Sequence, residues 1–436
     1  MQALLSYDQS PPMAAPFRFF LTAPLFAVLA GALLLWAGPD ALASRWTPAI
    51  LAVVHLVTVG FMLQVMLGAL VQILPVVAGA NLWRLSLVSA VVHAAMTIGT
   101  LFLAVAFLSF APYWFAAASA FLGFAALVFV VAAAASLRGV PPTSATISGL
   151  KLALVGLAVT IALGVAMAMS FGGSFSLPLL QVADYHAAWG FVGWGLVLLT
   201  AVALVVVPMF QLTPNYPAIF GTRFMTLALV ALAVWNAVDL FWPGPWATLV
   251  AALVVVFPLA FAVATVRLQQ RSKRPRFDPS QHFWRLAMLS TLLAALLWGA
   301  AMGLDMLGEW QGWPLLLGSL VLFGGFVSVI TGMLYKIVPF LIWLHLQNLG
   351  SGRLMAPNMK KIIDEAAMAR QLRAHGVACL LLALATVWPE FLVYPAGIAL
   401  IVAQGWLALN LHAGMRVYSA HRRKLDGLPP ASMQLG

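Results

Sequence analysis

The sequence predicts an all-α polytopic membrane protein, with twelve transmembrane helices arranged as three pseudo-symmetric four-helix repeats. The chain has 436 residues, of which 64% are hydrophobic and 8% are charged, and its mean hydropathy is +1.02. This composition excludes an ordinary soluble globular domain. Long apolar runs recur from residue 17 to residue 418, so we expect a single membrane domain in contact with the lipid bilayer.

Twelve apolar segments have the length that a helix needs to cross the hydrocarbon core of a bilayer, about 17–25 residues. The predicted spans are 17–37, 48–77, 85–108, 112–136, 149–170, 185–208, 222–242, 245–268, 284–305, 314–341, 374–390 and 392–418. The longest predicted cytoplasmic loops are 267–283 and 346–373.

Basic residues fall in alternate connections between these spans. Arg and Lys follow the even-numbered spans, including the twelfth and last, and they are most dense in RLQQRSKRPRFD at 267–278. The other connections carry Asp and Glu, with Arg45 as the one basic exception. Because cytoplasmic loops are enriched in Lys and Arg, we expect both termini in the cytoplasm. The net charge of +11 then indicates contact with anionic lipid, and we expect no nucleic-acid partner.

The second, sixth and tenth spans each end in a proline that follows a small residue by seven positions. The pairs are Gly68 and Pro75, Ala201 and Pro208, and Gly332 and Pro339. The two intervals between successive prolines are nearly equal, and each interval holds four spans. This regularity predicts an internal repeat, with units at 17–136, 149–268 and 284–418.

His55 and His186 are the main candidate ligands. They are 131 residues apart, the same interval as between Pro208 and Pro339, and each lies near the outer start of its span. Neutral imidazole is a good ligand for haem iron and for copper. A single histidine at such a position is more often an interfacial or packing residue, and the symmetric placement of two favours a cofactor site.

Residues on the same helical faces extend this candidate site. Met62 follows His55 at helical spacing, and Gly190 and Gly193 follow His186 and leave a smooth groove for a flat macrocycle or for a close neighbouring helix. His93 in the third span is a second candidate ligand. The same pattern is also compatible with a role in helix packing alone for all of these residues.

Other polar residues have ordinary interpretations. His282, His345, His375 and His421 lie at or beyond predicted cytoplasmic helix ends, where we expect interfacial anchoring, and Lys336 is expected to extend toward the headgroups. Cys379 is the only cysteine, which excludes internal disulfides and thiolate metal clusters.

The predicted architecture resembles subunit I of the haem–copper oxidases, in which the second and tenth helices carry haem-ligating histidines and the sixth carries a copper ligand. His55 matches the helix-two position and His186 the helix-six position. The stretch HLVTVGF, followed by a small residue and a late proline, is also similar to divergent oxidase-like proteins that include the NnrS family. That resemblance implies haem and copper as cofactors, a role in respiration or nitric-oxide stress, other respiratory membrane subunits as partners, and the bacterial inner membrane.

The sequence also departs from the oxidase pattern. The tenth span has no histidine at membrane depth, the seventh lacks the paired histidines of that family, and Gly190 stands where the sixth helix would carry a tyrosine. We therefore do not expect a competent oxygen-reducing oxidase. Two alternatives stay open, a haem-free transporter or channel, whose helices are often broken in this way, and a metal-free structural or assembly protein.

Overall fold

The computed structural model describes residues 10–350 and 354–427, and in these ranges the chain is helical, with no strand. Twelve long helices, α1 to α12, follow one another in chain order. They are Ala14–Ala37, Pro48–Ala78, Leu85–Ser109, Pro112–Arg138, Ala145–Phe171, Leu179–Gln211, Thr222–Phe241, Pro245–Gln270, Pro279–Ala301, Trp313–Gly350, Glu365–Ala385 and Pro389–Asp426. Short helical turns lie between them at Pro39–Ala43, Ala218–Phe220, Asp305–Gly308 and Met359–Ile362.

Eleven of these helices are long and apolar enough to cross a membrane, counted over the described ranges. The helix that is not among them is α11, in the place of the predicted span 374–390. It begins well before that span, at Glu365, where Asp364 caps its first turn by accepting a hydrogen bond from the backbone N–H of Ala367. Its first half, EAAMARQLRAH, is polar, so only the second half is typical of a membrane span.

α2, α6 and α10 each contain a π-helical segment. The segments are Leu56–Leu63, Trp189–Leu196 and Leu320–Val327, and each begins the same number of positions before the proline of its helix. In a π-helix the hydrogen bonds join residues five apart, so each segment changes which side chains share a face. π-Helical turns are frequent at functional sites. In α2 and α6 the π-helical segment lies beside a candidate ligand, His55 or His186.

The fifth residue of each π-helical segment is a glycine at a close helix crossing. A Cβ atom at Gly60 would overlap the Phe26 ring of α1, and one at Gly324 would lie 2.6 Å from Ser290 of α9. The closest crossing is in α6, where the carbonyl oxygen of Gly193 lies against Gly156 of α5. These glycines allow α1, α5 and α9 to pack directly on the π-helical segments.

α2, α6 and α10 surround a small cavity near their prolines, with a volume of about 80 Å³. We call this end of the bundle the proline end, and we call the end at which the three helices begin the histidine end. Corresponding positions of the three helices face the cavity, with Ile73, Val206 and Ile337 at one level and Val76, Met209 and Phe340 at the next. Apart from Gln72 and Thr146, every lining residue is apolar, so we call it the apolar axis cavity.

At the proline end, Asp278 joins α9 to α10. Its carboxylate accepts hydrogen bonds from Lys336 and, at 2.9 Å, from Arg274, and it caps α9 by accepting from the backbone N–H of Gln281. Arg274 also donates to the backbone carbonyl of Phe210 in α6, at 2.9 Å. The expectation that Lys336 extends to the headgroups is wrong, because its ammonium group is paired inside the protein.

We expect Asp278→Asn to lower the free energy of unfolding by about 1–3 kcal/mol, the usual contribution of hydrogen bonds to charged groups. Asparagine caps a helix as well as aspartate does, so the substitution removes the charge and keeps the cap. Thermal unfolding of the purified protein in detergent measures the loss. Asp364→Asn is the matched control, because Asp364 is an exposed helix cap; equal losses in both variants would contradict this role for the Asp278 carboxylate.

Candidate cofactor site

A cavity of about 360 Å³ lies among α2 to α6 at the histidine end, and His55 and His186 both line it. We call it the histidine cavity. The structure thus brings together the two residues that the sequence places one repeat apart. Each histidine lies about two turns after the first residue of its helix, Pro48 in α2 and Leu179 in α6, so both are about 10 Å below the helix start.

The two imidazole rings lie side by side. Their centroids are 6.3 Å apart and their planes differ by 14°. Both side chains are half-buried, because each retains surface in the cavity. The rings therefore form a nearly parallel pair on two helices that both line the cavity.

A backbone carbonyl group fixes each ring through its Nδ1 atom. The Nδ1–H of His55 donates to the carbonyl of Leu51 at 2.7 Å, and the Nδ1–H of His186 donates to the carbonyl of Thr160 at 2.9 Å. Since a carbonyl oxygen only accepts, the proton of each neutral ring lies on Nδ1 and the lone pair on Nε2. Among the described residues, neither Nε2 atom has a hydrogen-bond partner. This orientation by a second hydrogen bond is typical of metal-ligating histidines.

The contact between α5 and α6 holds His186 at a fixed position. A Cβ atom at Gly164 would lie 2.9 Å from the His186 ring, so this glycine leaves the room that the ring occupies. On the opposite side of α6, Tyr185 donates to Asp239 at 2.7 Å and Trp189 donates to Asn236 at 2.7 Å, both in α7. These bonds fix the rotation of α6 that turns His186 toward the cavity.

Two further polar groups that line the histidine cavity have no partner. The indole N–H of Trp194 and the hydroxyl of Ser119 are fully enclosed, and neither is hydrogen-bonded within the described residues. Buried polar groups in native proteins are nearly always paired, and an exception often marks a place where a bound group completes the pairing. The cavity thus offers two acceptor nitrogens in mostly apolar walls, and the Trp194 and Ser119 groups are enclosed in the protein beside it.

An ion pair lies where the histidine cavity meets the surface. Arg45 donates to the carboxylate of Asp184 at 2.7 Å, and both side chains line the cavity and are partly exposed. Arg45 was the basic exception in the sequence pattern, and its pairing with an acidic residue two positions before His186 gives a local reason for it. A guanidinium group here can also bind a carboxylate of a ligand, since Arg pairs with planar anions in a bidentate manner.

The other predicted site residues divide into two groups. Met62 and Gly190 line the histidine cavity, whereas Gly193 is not among its lining residues and lies at the crossing with α5. His93 is also not brought to the cavity. Its Nε2 atom lies 3.0 Å from the hydroxyl of Thr22 in α1, and its ring packs edge-on against Phe19.

Sequence reasoning misplaced one histidine. His375 was expected at an interface, but it is 1% exposed, inside the bundle next to α10. Its Nε2 atom lies 2.8 Å from the hydroxyl of Ser328 and 3.4 Å from the sulfur of Cys379. Ser328 directly follows the third π-helical segment, so His375 contacts α10 beside the segment that corresponds to those near His55 and His186.

The fold and the site define a polytopic α-helical membrane protein with a two-histidine cavity. No protein-family model matches the chain, and no curated protein is significantly similar to it. Within the described residues, no group of three or more His, Cys, Asp or Glu side chains is arranged to hold a metal ion.

Proposed function

We propose that the protein binds one haem in the histidine cavity, where His55 and His186 would hold its iron. The distance between the two rings is the observation that carries this proposal. An imidazole nitrogen binds a metal at about 2.0 Å and lies about 1 Å from its ring centre, so two imidazoles on opposite sides of one metal have centroids roughly 6 Å apart. The observed separation is 6.3 Å, and the planes are almost parallel.

The chemistry of the cavity fits a haem in three respects. A haem brings four nitrogens of its own, so that two histidines suffice to complete six ligands around the iron. The walls are mostly apolar, as a porphyrin requires. Arg45, near the surface, can pair with a propionate.

A copper ion is the second candidate, favoured by one specific observation. The side chain of Met62 lines the same cavity as His55 and His186. Thioether sulfur and imidazole together are typical ligands of Cu(I). A single ion does not need a cavity of about 360 Å³, and for this reason we rank haem first.

A haem in this position supplies one-electron chemistry. Together with the likeness to haem–copper oxidase subunit I and to the NnrS family, this supports a role in respiration or in the response to nitric oxide, alongside other respiratory membrane subunits. The tenth helix carries no histidine in its membrane-spanning part before Pro339, so we do not assign oxygen reduction to the protein.

Regular features of the fold support three four-helix repeats, α1–α4, α5–α8 and α9–α12, and twelve crossings of the membrane. The π-helical segments recur at the same intervals as the prolines. Corresponding residues of α2, α6 and α10 face the apolar axis cavity. Twelve crossings require α11 to span the bilayer with its polar first half at the proline end.

The distribution of charge supports the predicted orientation. The proline end holds Arg274 and Lys336, together with the basic segment after α8 and the basic residues in the last turns of α12, and the positive-inside rule assigns these to the cytoplasm. The histidine cavity then lies near the outer face. In a bacterium this corresponds to the periplasmic side of the inner membrane, with both termini in the cytoplasm.

An absorption spectrum and a metal analysis of the protein purified from haem-replete cells test the proposal. We expect a Soret band and close to one iron per chain, and we expect the reduced spectrum of a six-coordinate haem. Copper without a Soret band would favour the second candidate. A colourless and metal-free protein would contradict both, and would favour the transporter or scaffold alternatives.

A further inference from the structure

A second large cavity, of about 300 Å³, lies among α6 to α10 at the histidine end. It is next to the histidine cavity, because Ala187 and Phe191 of α6 line both. We call it the tryptophan cavity, after Trp235 of α7 and Trp298 of α9 in its wall. The ligand that it binds is a question separate from the proposed haem.

The tryptophan cavity and the histidine cavity are lined by corresponding positions. Residues of α5 and α6 in the first cavity match residues of α9 and α10 in the second at the interval that separates Pro208 from Pro339. The matched pairs include Thr160 and Thr291, Gly164 and Ala295, and Gly190 and Val321.

The two ligand positions differ between the cavities. When α2, α6 and α10 are aligned on their prolines, His55 corresponds to Ala188 and His186 corresponds to Leu317. Neither Ala188 nor Leu317 has a side chain that can bind a metal. The second cavity therefore has the same framework without the metal ligands.

The polar groups of the tryptophan cavity are few and specific. The indole N–H groups of Trp235 and Trp298 have no hydrogen-bond partner among the described residues, and indole can only donate. The hydroxyl of Thr291 donates to the carbonyl of Ala287 at 2.9 Å, so its oxygen can only accept a further bond. Phe191 and Phe326 stack at 5.5 Å and give the cavity a flat aromatic wall.

We infer that the tryptophan cavity binds an isoprenoid quinone from the bilayer. A quinone ring is flat and apolar, and its carbonyl oxygens accept hydrogen bonds from indole N–H groups. The reduced form has hydroxyl groups, for which the Thr291 oxygen is an acceptor. Phospholipid acyl chains have none of these groups, so they would form no hydrogen bond with either indole.

The access and the position of the cavity agree with this ligand. Ala251, Val255 and Trp298 in its wall are half-buried, so the site is not sealed from the surroundings of the bundle. The wall shared with the histidine cavity is a single layer, and Ala187, which belongs to it, is adjacent to His186 in the chain. A quinone here is separated from the imidazole pair by little more than this layer.

Quinone that remains bound through purification provides the test. The wild-type protein is purified in detergent, and isoprenoid quinone and phospholipid are extracted and quantified per chain. We expect near-stoichiometric quinone in the wild type. Ala295→Phe, which fills the cavity, should reduce it to the phospholipid-normalised background. The Trp235→Phe and Trp298→Phe double variant keeps the volume and removes both donors, and should weaken retention roughly two- to tenfold for each bond lost.

Two controls separate this inference from the proposed haem. Trp246→Phe alters an exposed tryptophan outside the cavity and should retain wild-type quinone. His55→Ala should retain quinone even where it loses haem, because the tryptophan cavity does not include His55. Equal quinone in the wild type, the double variant and Ala295→Phe would overturn the inference, as would a purified wild type that holds phospholipid and no quinone.

Discussion

His186→Ala is expected to abolish haem binding, and His55→Ala is expected to do the same. Each ring contributes one Nε2 lone pair, and one backbone carbonyl group orients each ring through its Nδ1–H. Mutation even of residues that only support a metal ligand costs about 10–100-fold in affinity, so removing a ligand should reduce the haem retained per chain at least tenfold. The Soret absorbance relative to protein concentration measures this loss.

His93→Ala is the matched control for these two variants. His93 lies in a neighbouring helix but bonds to Thr22, away from the histidine cavity. It should therefore retain the wild-type spectrum. Added imidazole should restore the Soret band of His186→Ala, because the cavity left by the ring can admit the free ligand. Full haem content in both the His55→Ala and His186→Ala proteins would contradict the assignment, and a loss in His93→Ala of similar size would move the site.

Gly156→Ala is expected to cause the largest loss of stability. Its Cβ atom would overlap the carbonyl oxygen of Gly193 and lie 2.8 Å from the backbone nitrogen of Trp194. Backbone atoms within two packed helices cannot move aside as a side-chain end can, so α5 and α6 must separate. Overpacking of this kind costs about 1–3 kcal/mol, and occasionally more. A lower temperature of thermal unfolding in detergent is the expected result.

The same substitution should also reduce haem retention, because Thr160, one turn along α5, holds the ring of His186. Gly405→Ala is the control. A Cβ atom at Gly405 meets nothing within 4 Å, and alanine is favoured over glycine in a helix by about 0.5–1 kcal/mol. A Gly156→Ala protein as stable as the Gly405→Ala protein would show that the crossing of α5 and α6 is less close than described.

Much of the helical layout was predictable from the sequence, because the length of each apolar segment indicates a helix that can cross a membrane. The second predicted span, 48–77, differs from α2 by one position at its end, and the fourth, 112–136, differs from α4 by two. α10 and α12 end nine and eight residues beyond their predicted spans, and α11 begins nine residues before its predicted span. Hydropathy located the apolar half of this helix, but its start is set by the cap at Asp364, inside a polar stretch. A window of mean hydropathy cannot detect such a start.

The candidate site was predictable in part. The spacing singled out His55 and His186, and both line the histidine cavity, whereas Gly193 was assigned to the same face as His186 by α-helical spacing. Trp189–Leu196 is π-helical, so α-helical spacing does not hold within it, and the carbonyl of Gly193 meets Gly156 of α5 instead. His375 was misplaced for another reason, since its burial comes from α10 and α12, which are distant in sequence.

The apolar axis cavity has a consequence for the passage of water and protons through the bundle. Where α2, α6 and α10 meet, its lining is aliphatic or aromatic except for Gln72 and Thr146. Small apolar cavities in proteins stay dry, so no continuous file of water runs along the centre of the bundle. Protons need such a file to pass between the two aqueous phases. At this cavity the centre of the bundle therefore offers no water-filled path for protons.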